Sequence, residues 1–176
     1  LTDVTNMVPS MKGYKGAPTP VDTGVDALAS ECRGVAILTK LDTTKRTFGG
    51  TQTALYEVSG TTWTDRSKGG GYALGAEERW VFSQFGDVSI AAAKTETLQF
   101  STPGVFADIS GAPKAKLMAV SQGFIMLADT NDATYGDQSD RFRCCAYLDY
   151  TYWTPSVITE SVTGRLVESP VPIFAL

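Results

Sequence analysis

The sequence predicts an all-β protein: a β-propeller-like array of about three four-stranded antiparallel blades, an incomplete ring, preceded by an extended N-terminal arm. Three observations carry that expectation. From Gly34 onward, short runs of β-branched and aromatic residues are punctuated by Gly, Asp, Thr and Pro, the signature of a chain of hairpins. One pattern then recurs at roughly 40–50 residues, the period of four-stranded propeller blades. Finally, Gly60, Gly86 and Gly123 fall between apolar runs, where a tight hairpin needs a residue tolerant of positive φ.

Residues 1–32 form the arm. "NMVPSMKGYKGAPTPVDTGVD" has neither a helical nor a strand period and reads as extended chain. Val8, Pro9 and Tyr14 are its candidate assembly contacts, and "DALASECRG" allows one or two helical turns. The first blade spans 33–67, "RGVAILTK…RTFGGT…ALYEVSGTTWTDRS". A Gly-rich connector, "KGGGY", leads toward the second blade at 79–110, "RWVFSQFGDVSIAAA…TLQFSTPGVFADIS". The third spans 116–156, "KLMAVSQGFIMLADT…FRCCAYLDYTYWTPS", and 157–176 reads as further β structure or a C-terminal extension.

The register of the repeat is set by an aromatic in the last strand of each unit: Trp63, Phe106 and Trp153. Each is followed by a small residue, then Asp or Pro, and a Ser closes the unit. Leu55, Leu98 and Cys145 stand upstream at a common offset, in the third strand of each blade. One blade cannot bury both faces of its sheet, so neighbours must supply the core and the aromatic covers a large area per residue. Three blades are fewer than a ring needs. Closure is expected from more chain or from other copies.

At 176 residues, with 43% hydrophobic and 19% charged residues, the chain is long and apolar enough to bury a core. A net charge of −4 and a pI near 4.8 argue against a surface that grips nucleic-acid phosphates. No run is long enough to cross a bilayer as a helix, so no membrane partner is expected. The absence of histidine removes the usual general base and the commonest metal ligand. Of three cysteines, Cys144 and Cys145 are adjacent in a strand-like run, which points them to opposite faces, and the odd count argues against a disulfide framework. The chain is therefore read as a non-enzyme, with no catalytic residue, metal or cofactor.

Two stretches invite a binding role. "DTNDATYGDQSD" (129–140) is acidic but lacks the residues a calcium loop needs at its fifth and twelfth positions, and reads as an exposed loop. The cluster Tyr147, Tyr150, Tyr152 and Trp153 offers rings for stacking a sugar or base. Strand alternation buries most of these rings between blades, leaving Tyr150 or Tyr152 as the outward-facing ligand contact.

Taken together, "NMVPSMKGY", "ALASECRG", "ALYEVSGTTWTDRSKGGGY", "RWVFSQFGDVSIAA", "FADISGAPKAKLMAVSQGFIMLAD" and "YWTPS…GRLVESPVPI" resemble the N-terminal part of a bacteriophage virion family. These are the β-propeller tail proteins of short-tailed phages, similar in role to tail nozzle, hub or packaged-DNA stabilisation proteins. "CCAYLDYTYWTPS" departs from the family by lacking a first tryptophan. The resemblance implies a structural subunit of the tail or head-to-tail assembly, in the virion and assembled in the host cytoplasm. Its implied partners are other copies in a symmetric ring, other tail, portal or adaptor proteins, and DNA passing nearby without sequence-specific binding. A carbohydrate- or receptor-binding propeller and a capsid-decorating minor head protein are the alternatives.

Overall fold

The computed structural model describes residues 7–17, 22–167 and 172–176, and among them it is all-β, with no helix. A hairpin, β1 (Met7–Ser10) and β2 (Gly13–Gly16), precedes three four-stranded antiparallel meanders. The first sheet is β3 (Gly34–Thr39), β4 (Lys45–Gly50), β5 (Leu55–Ser59) and β6 (Thr62–Asp65). The second is β7 (Val81–Phe85), β8 (Val88–Ala93), β9 (Glu96–Ser101) and the two-residue β10 (Ala107–Asp108). The third is β11 (Lys114–Ser121), β12 (Phe124–Asp132), β13 (Gly136–Cys144) and β14 (Val162–Arg165). Each sheet pairs its strands strictly in chain order.

The three sheets stack face to face in sequence, and the middle one explains why. In β8, Val88, Ile90 and Ala92 face the third sheet, whereas Ala91 and Ala93 face the first. A strand buried on both faces reads as a continuous apolar run, which is what "IAAA" (residues 90–93) is. The split also sorts by size. Small residues of β8 point toward the first sheet because Phe48, Tyr72, Trp80, Phe82 and Phe106 fill that interface. The other interface is mostly aliphatic: Leu98, Ile109, Met118, Ile125 and Leu127, with Trp153 and Cys145. Strands that open successive sheets also touch, β3 against β7 and β7 against β11.

Trp80 is the key to the first interface. It lies against the paired glycines Gly34 and Gly50 at the end of the β3–β4 ladder, its backbone carbonyl and Cβ over Gly34 and its indole over Gly50. A Cβ built on Gly50 would sit 2.2 Å from Trp80 Cδ1, so only glycine admits the ring. The indole N–H donates to the Thr51 carbonyl at 2.8 Å, and the Trp80 amide donates to the Arg33 carbonyl at 2.7 Å.

Charged side chains tie the sheets together at their rims. Arg46 forks onto Glu57 (2.6 and 3.2 Å) and reaches across to Ser101 Oγ and the Thr102 carbonyl, both at 3.1 Å. Arg66 adds a 3.0 Å bond to the same carboxylate. Burial alone would raise the Glu57 pKa, but hydrogen bonds from Arg46 and Arg66 outweigh it and leave the carboxyl below its ordinary range. At the second interface, Lys94 leaves the β8–β9 turn to pair with Asp129 and, at 2.6 Å, with Asp137.

Four expectations are corrected. Residues 7–16 form a hairpin, not patternless chain, because Gly13 at φ 121° closes the turn and lets Val8 and Pro9 pair with Lys15 and Tyr14. "DALASECRG" makes no helical turn. It runs extended along the first sheet, with Asp26 N–H bonded to the Thr61 carbonyl at 2.8 Å, a tertiary contact that overrides weak propensity. Residues 129–140 are mostly strand, since Asp129, Asp132 and Asp140 each find a cation in Lys94, Arg143 and Arg165. Of the anchors expected in last strands, Phe106 lies just before β10 and Trp153 in the connection between β13 and β14, and the last strand of the third sheet is Val162–Arg165, beyond the expected unit end at 156.

Candidate functional site

The repeat anchors occupy equivalent faces. Trp63 lies on the face of the first sheet turned away from the second, its indole N–H bonded to the Asp26 carbonyl at 2.7 Å and its ring over Gly49. Phe106 leaves the second sheet toward the first and meets Phe48 edge-on at 5.4 Å. Trp153 leaves the third sheet toward the second and is only 3% exposed. Each aromatic thus covers the backward face of its own unit. Leu55 and Leu98, in β5 and β9, fill the forward faces of theirs. Cys145 sits one residue past β13 and packs backward instead, with its neighbour Cys144 on the opposite face.

Two faces therefore end the stack. At the back of the first sheet, Val35 and Ile37 are 64% and 65% exposed, because Ala36 and Leu38 take the inward positions of β3. Residues 25–28 cover only the Trp63 side of that face. At the front of the third sheet, Phe124, Met126, Cys144 and Val162 line a shallow groove. Beside it, Val157 and Ile158 are 96% and 90% exposed.

The tyrosines divide. Tyr150 packs against Phe85 and Phe100, with ring centroids at 6.0 and 5.5 Å, and belongs to the core between the second and third sheets. Tyr152 stays exposed, as do Tyr147 and Leu148, which cover Gly123 in the β11–β12 turn. In the N-terminal hairpin Tyr14 is exposed and Val8 half-buried, with Pro9 paired to Tyr14 through the backbone.

A cleft of about 520 Å³, lined by both apolar and polar groups, opens between the second and third sheets. Its walls come from the β12–β13 turn, the start of β11 and residues 153–155. Arg143 is its most buried charge. One guanidinium nitrogen binds Asp132 at 2.7 Å, another donates to the Trp153 carbonyl at 2.6 Å, and Nε has no partner among the described residues. Asp132 is fully engaged, its second oxygen accepting the Thr134 and Tyr135 amides at 2.9 and 2.7 Å. Lys114 enters from β11 and donates to the Thr95 carbonyl at 2.6 Å.

Sequence reasoning missed Trp80, Arg143 and this cleft. The glycine pair Gly49–Gly50 inside a strand was the available signal for Trp80. Arg143 had none, because its partners lie on separate elements. Among the described residues, no group of three or more His, Cys, Asp or Glu side chains is placed to hold a metal ion. Nor, among the described residues, is any helix long and apolar enough to cross a membrane. No protein-family model matches the chain, and no curated protein matches it.

Proposed function

We propose that the chain is an assembly subunit whose three stacked sheets are consecutive blades of a β-propeller, and that it serves as a structural component of a phage tail or head-to-tail junction. The observation that supports the assembly reading is the equivalence of the three anchors. Trp63, Phe106 and Trp153 each cover the backward face of their own unit, so every sheet presents one front and one back. The front of the third sheet and the back of the first are then complementary ends of the same series. A second copy joins head to tail, its Val35 and Ile37 meeting Met126 and Val162, and such heterologous contacts close into rings when the rotation fits. The virion setting rests on the sequence resemblance alone.

No catalytic step is assigned. An acidic chain with cations such as Arg46, Lys94 and Arg143 held in ion pairs suits a wall near mobile DNA, since like charge keeps the polymer from sticking. Imaging of phage particles carrying this chain tests the setting. Density for it in a symmetric ring at the portal or tail is the expected result, and copies spread over the capsid faces overturn the tail assignment.

A further inference from the structure

We infer that the N-terminal hairpin, β1–β2, is a strap that docks on a second copy of the chain, over the loop Val157–Glu160 beside the front of that copy's third sheet. This contact rests on the head-to-tail reading and adds to it the element that holds the junction. Two antiparallel strands alone are marginal in water. Yet among the described residues no backbone hydrogen bond or strand pairing joins β1 or β2 to the three sheets, and neither core cluster includes a residue of either strand. Met7, Met11 and Tyr14 are exposed, as are Lys12 and Lys15. Met7 pairs with Gly16 and Pro9 with Tyr14, which puts Met7 and Tyr14 on one face of the ribbon and Val8 and Lys15 on the other. A methionine and an aromatic on one uncovered face are residue types enriched at interfaces.

Position and charge name the occupant. Asp26 is bonded to the Thr61 carbonyl and Leu28 lies against Gly49. The chain therefore enters the first sheet along its back, the face that the head-to-tail reading puts against the next copy's third sheet. From Gly16 to Asp26 the chain can span up to about 33 Å, more than the roughly 15 Å width of a four-stranded sheet. The hairpin thus reaches the neighbour's rim. There Val157 and Ile158 stand almost fully exposed, and the contact of Val35 and Ile37 with Met126 and Val162 leaves them uncovered. Their loop is pinned, with the Ser156 amide donating to the Ser161 carbonyl and the Tyr147 amide to the Thr159 carbonyl, both at 3.0 Å. Two apolar side chains are held out in water instead of folding inward. The hairpin carries Lys12 and Lys15 and no acidic residue, whereas exposed Glu160 is the one charged side chain lining the groove and the loop. With the hairpin contributing +2 to a net charge of −4, the rest of the chain sums to −6, which draws the hairpin toward another copy. Met7 and Tyr14 then cover Val157 and Ile158, and Lys12 at the tip reaches Glu160.

The test mixes equal amounts of unlabelled and nitrogen-15-labelled intact chain at a concentration where the parent assembles, and joins touching amines and carboxylates with a zero-length carbodiimide. Mass spectrometry is expected to find Lys12 joined to Glu160, with labelled and unlabelled peptides paired in the same link. Sedimentation equilibrium is expected to show assembly weakened about tenfold by Tyr14→Ala and by Val157→Asp. Lys12→Glu is expected to weaken it about threefold, with recovery when Glu160→Lys is added. All four side chains are exposed, so the unfolding temperature of each variant should match the parent's. A parent that stays monomeric removes the head-to-tail reading and the strap with it. If the parent assembles but the links join peptides of one isotope only, the hairpin belongs to its own chain and the strap is overturned alone. If the parent assembles and Tyr14→Ala, Val157→Asp and Lys12→Glu all keep parental affinity, the strap is likewise overturned and the junction of the sheet faces stands without it.

Discussion

Replacing Gly50 by alanine is the sharpest probe of how the first two sheets are joined. The added Cβ would lie 2.2 Å from Trp80 Cδ1 and 2.7 Å from Cγ. Those atoms belong to a ring that is 4% exposed, packed edge-on against Tyr72 at 4.9 Å and tethered through its indole N–H to Thr51. The ring cannot swing aside without breaking that bond, and overpacking of this kind costs about 1–3 kcal/mol. Trp80→Ala alone removes the ring and costs about 3–5 kcal/mol. In the double variant the clash has no partner, so the two effects are sub-additive, with a coupling of about 1–3 kcal/mol. Urea denaturation of the four proteins, followed by circular dichroism, measures all three quantities. If Gly50→Ala is within about 0.5 kcal/mol of the parent, or the cycle is additive, Trp80 does not occupy the glycine slot.

Three further outcomes follow from the same packing. The Glu57 carboxyl titrates below its ordinary range, so its contribution to stability is fully present above about pH 4.5 and is lost as pH falls through the folded-state value. Glu57→Gln should flatten that acid limb in pH-dependent urea midpoints and cost on the order of 1–3 kcal/mol at neutral pH; an unchanged limb removes Glu57 from the cause. Cys32 is exposed, whereas burial raises the thiol pKa of Cys144 and Cys145. A thiol reagent should therefore label one cysteine rapidly in the native protein and all three in denaturant, and rapid labelling of two would contradict the packing around β13. Trp153→Ala should cost about 3–5 kcal/mol and Trp63→Ala clearly less, because only the first ring is enclosed by two sheets; equal losses in thermal unfolding would remove the distinction.

Much of this architecture was legible because it is local and periodic. The turn glycines Gly60, Gly86 and Gly123 all adopt positive φ, and the short apolar runs on either side of them are the paired strands of hairpins. The aromatic repeat marked Trp63, Phe106 and Trp153 as equivalents, and they cover the same side of their units although neither Phe106 nor Trp153 is in a strand. What escaped was non-local. Trp80 lies outside the repeat and is explained only by glycines 30 or more positions earlier. The acidic run 129–140 looked like a solvated loop because its cations, Lys94, Arg143 and Arg165, come from other strands and turns. The cleft is assembled from β11, the β12–β13 turn and the connection after Cys145, so no contiguous motif could announce it.

Sedimentation equilibrium of the parent chain and of Ile37→Asp bears most directly on head-to-tail assembly. The front of the third sheet and the back of the first are predicted to meet between copies, giving a concentration-dependent species of fixed stoichiometry in the parent. The aspartate, placed at an exposed position of β3, should leave the fold intact and the variant monomeric. A parent that stays monomeric at every concentration, or a variant that assembles equally well, would contradict the proposed joining of these two faces.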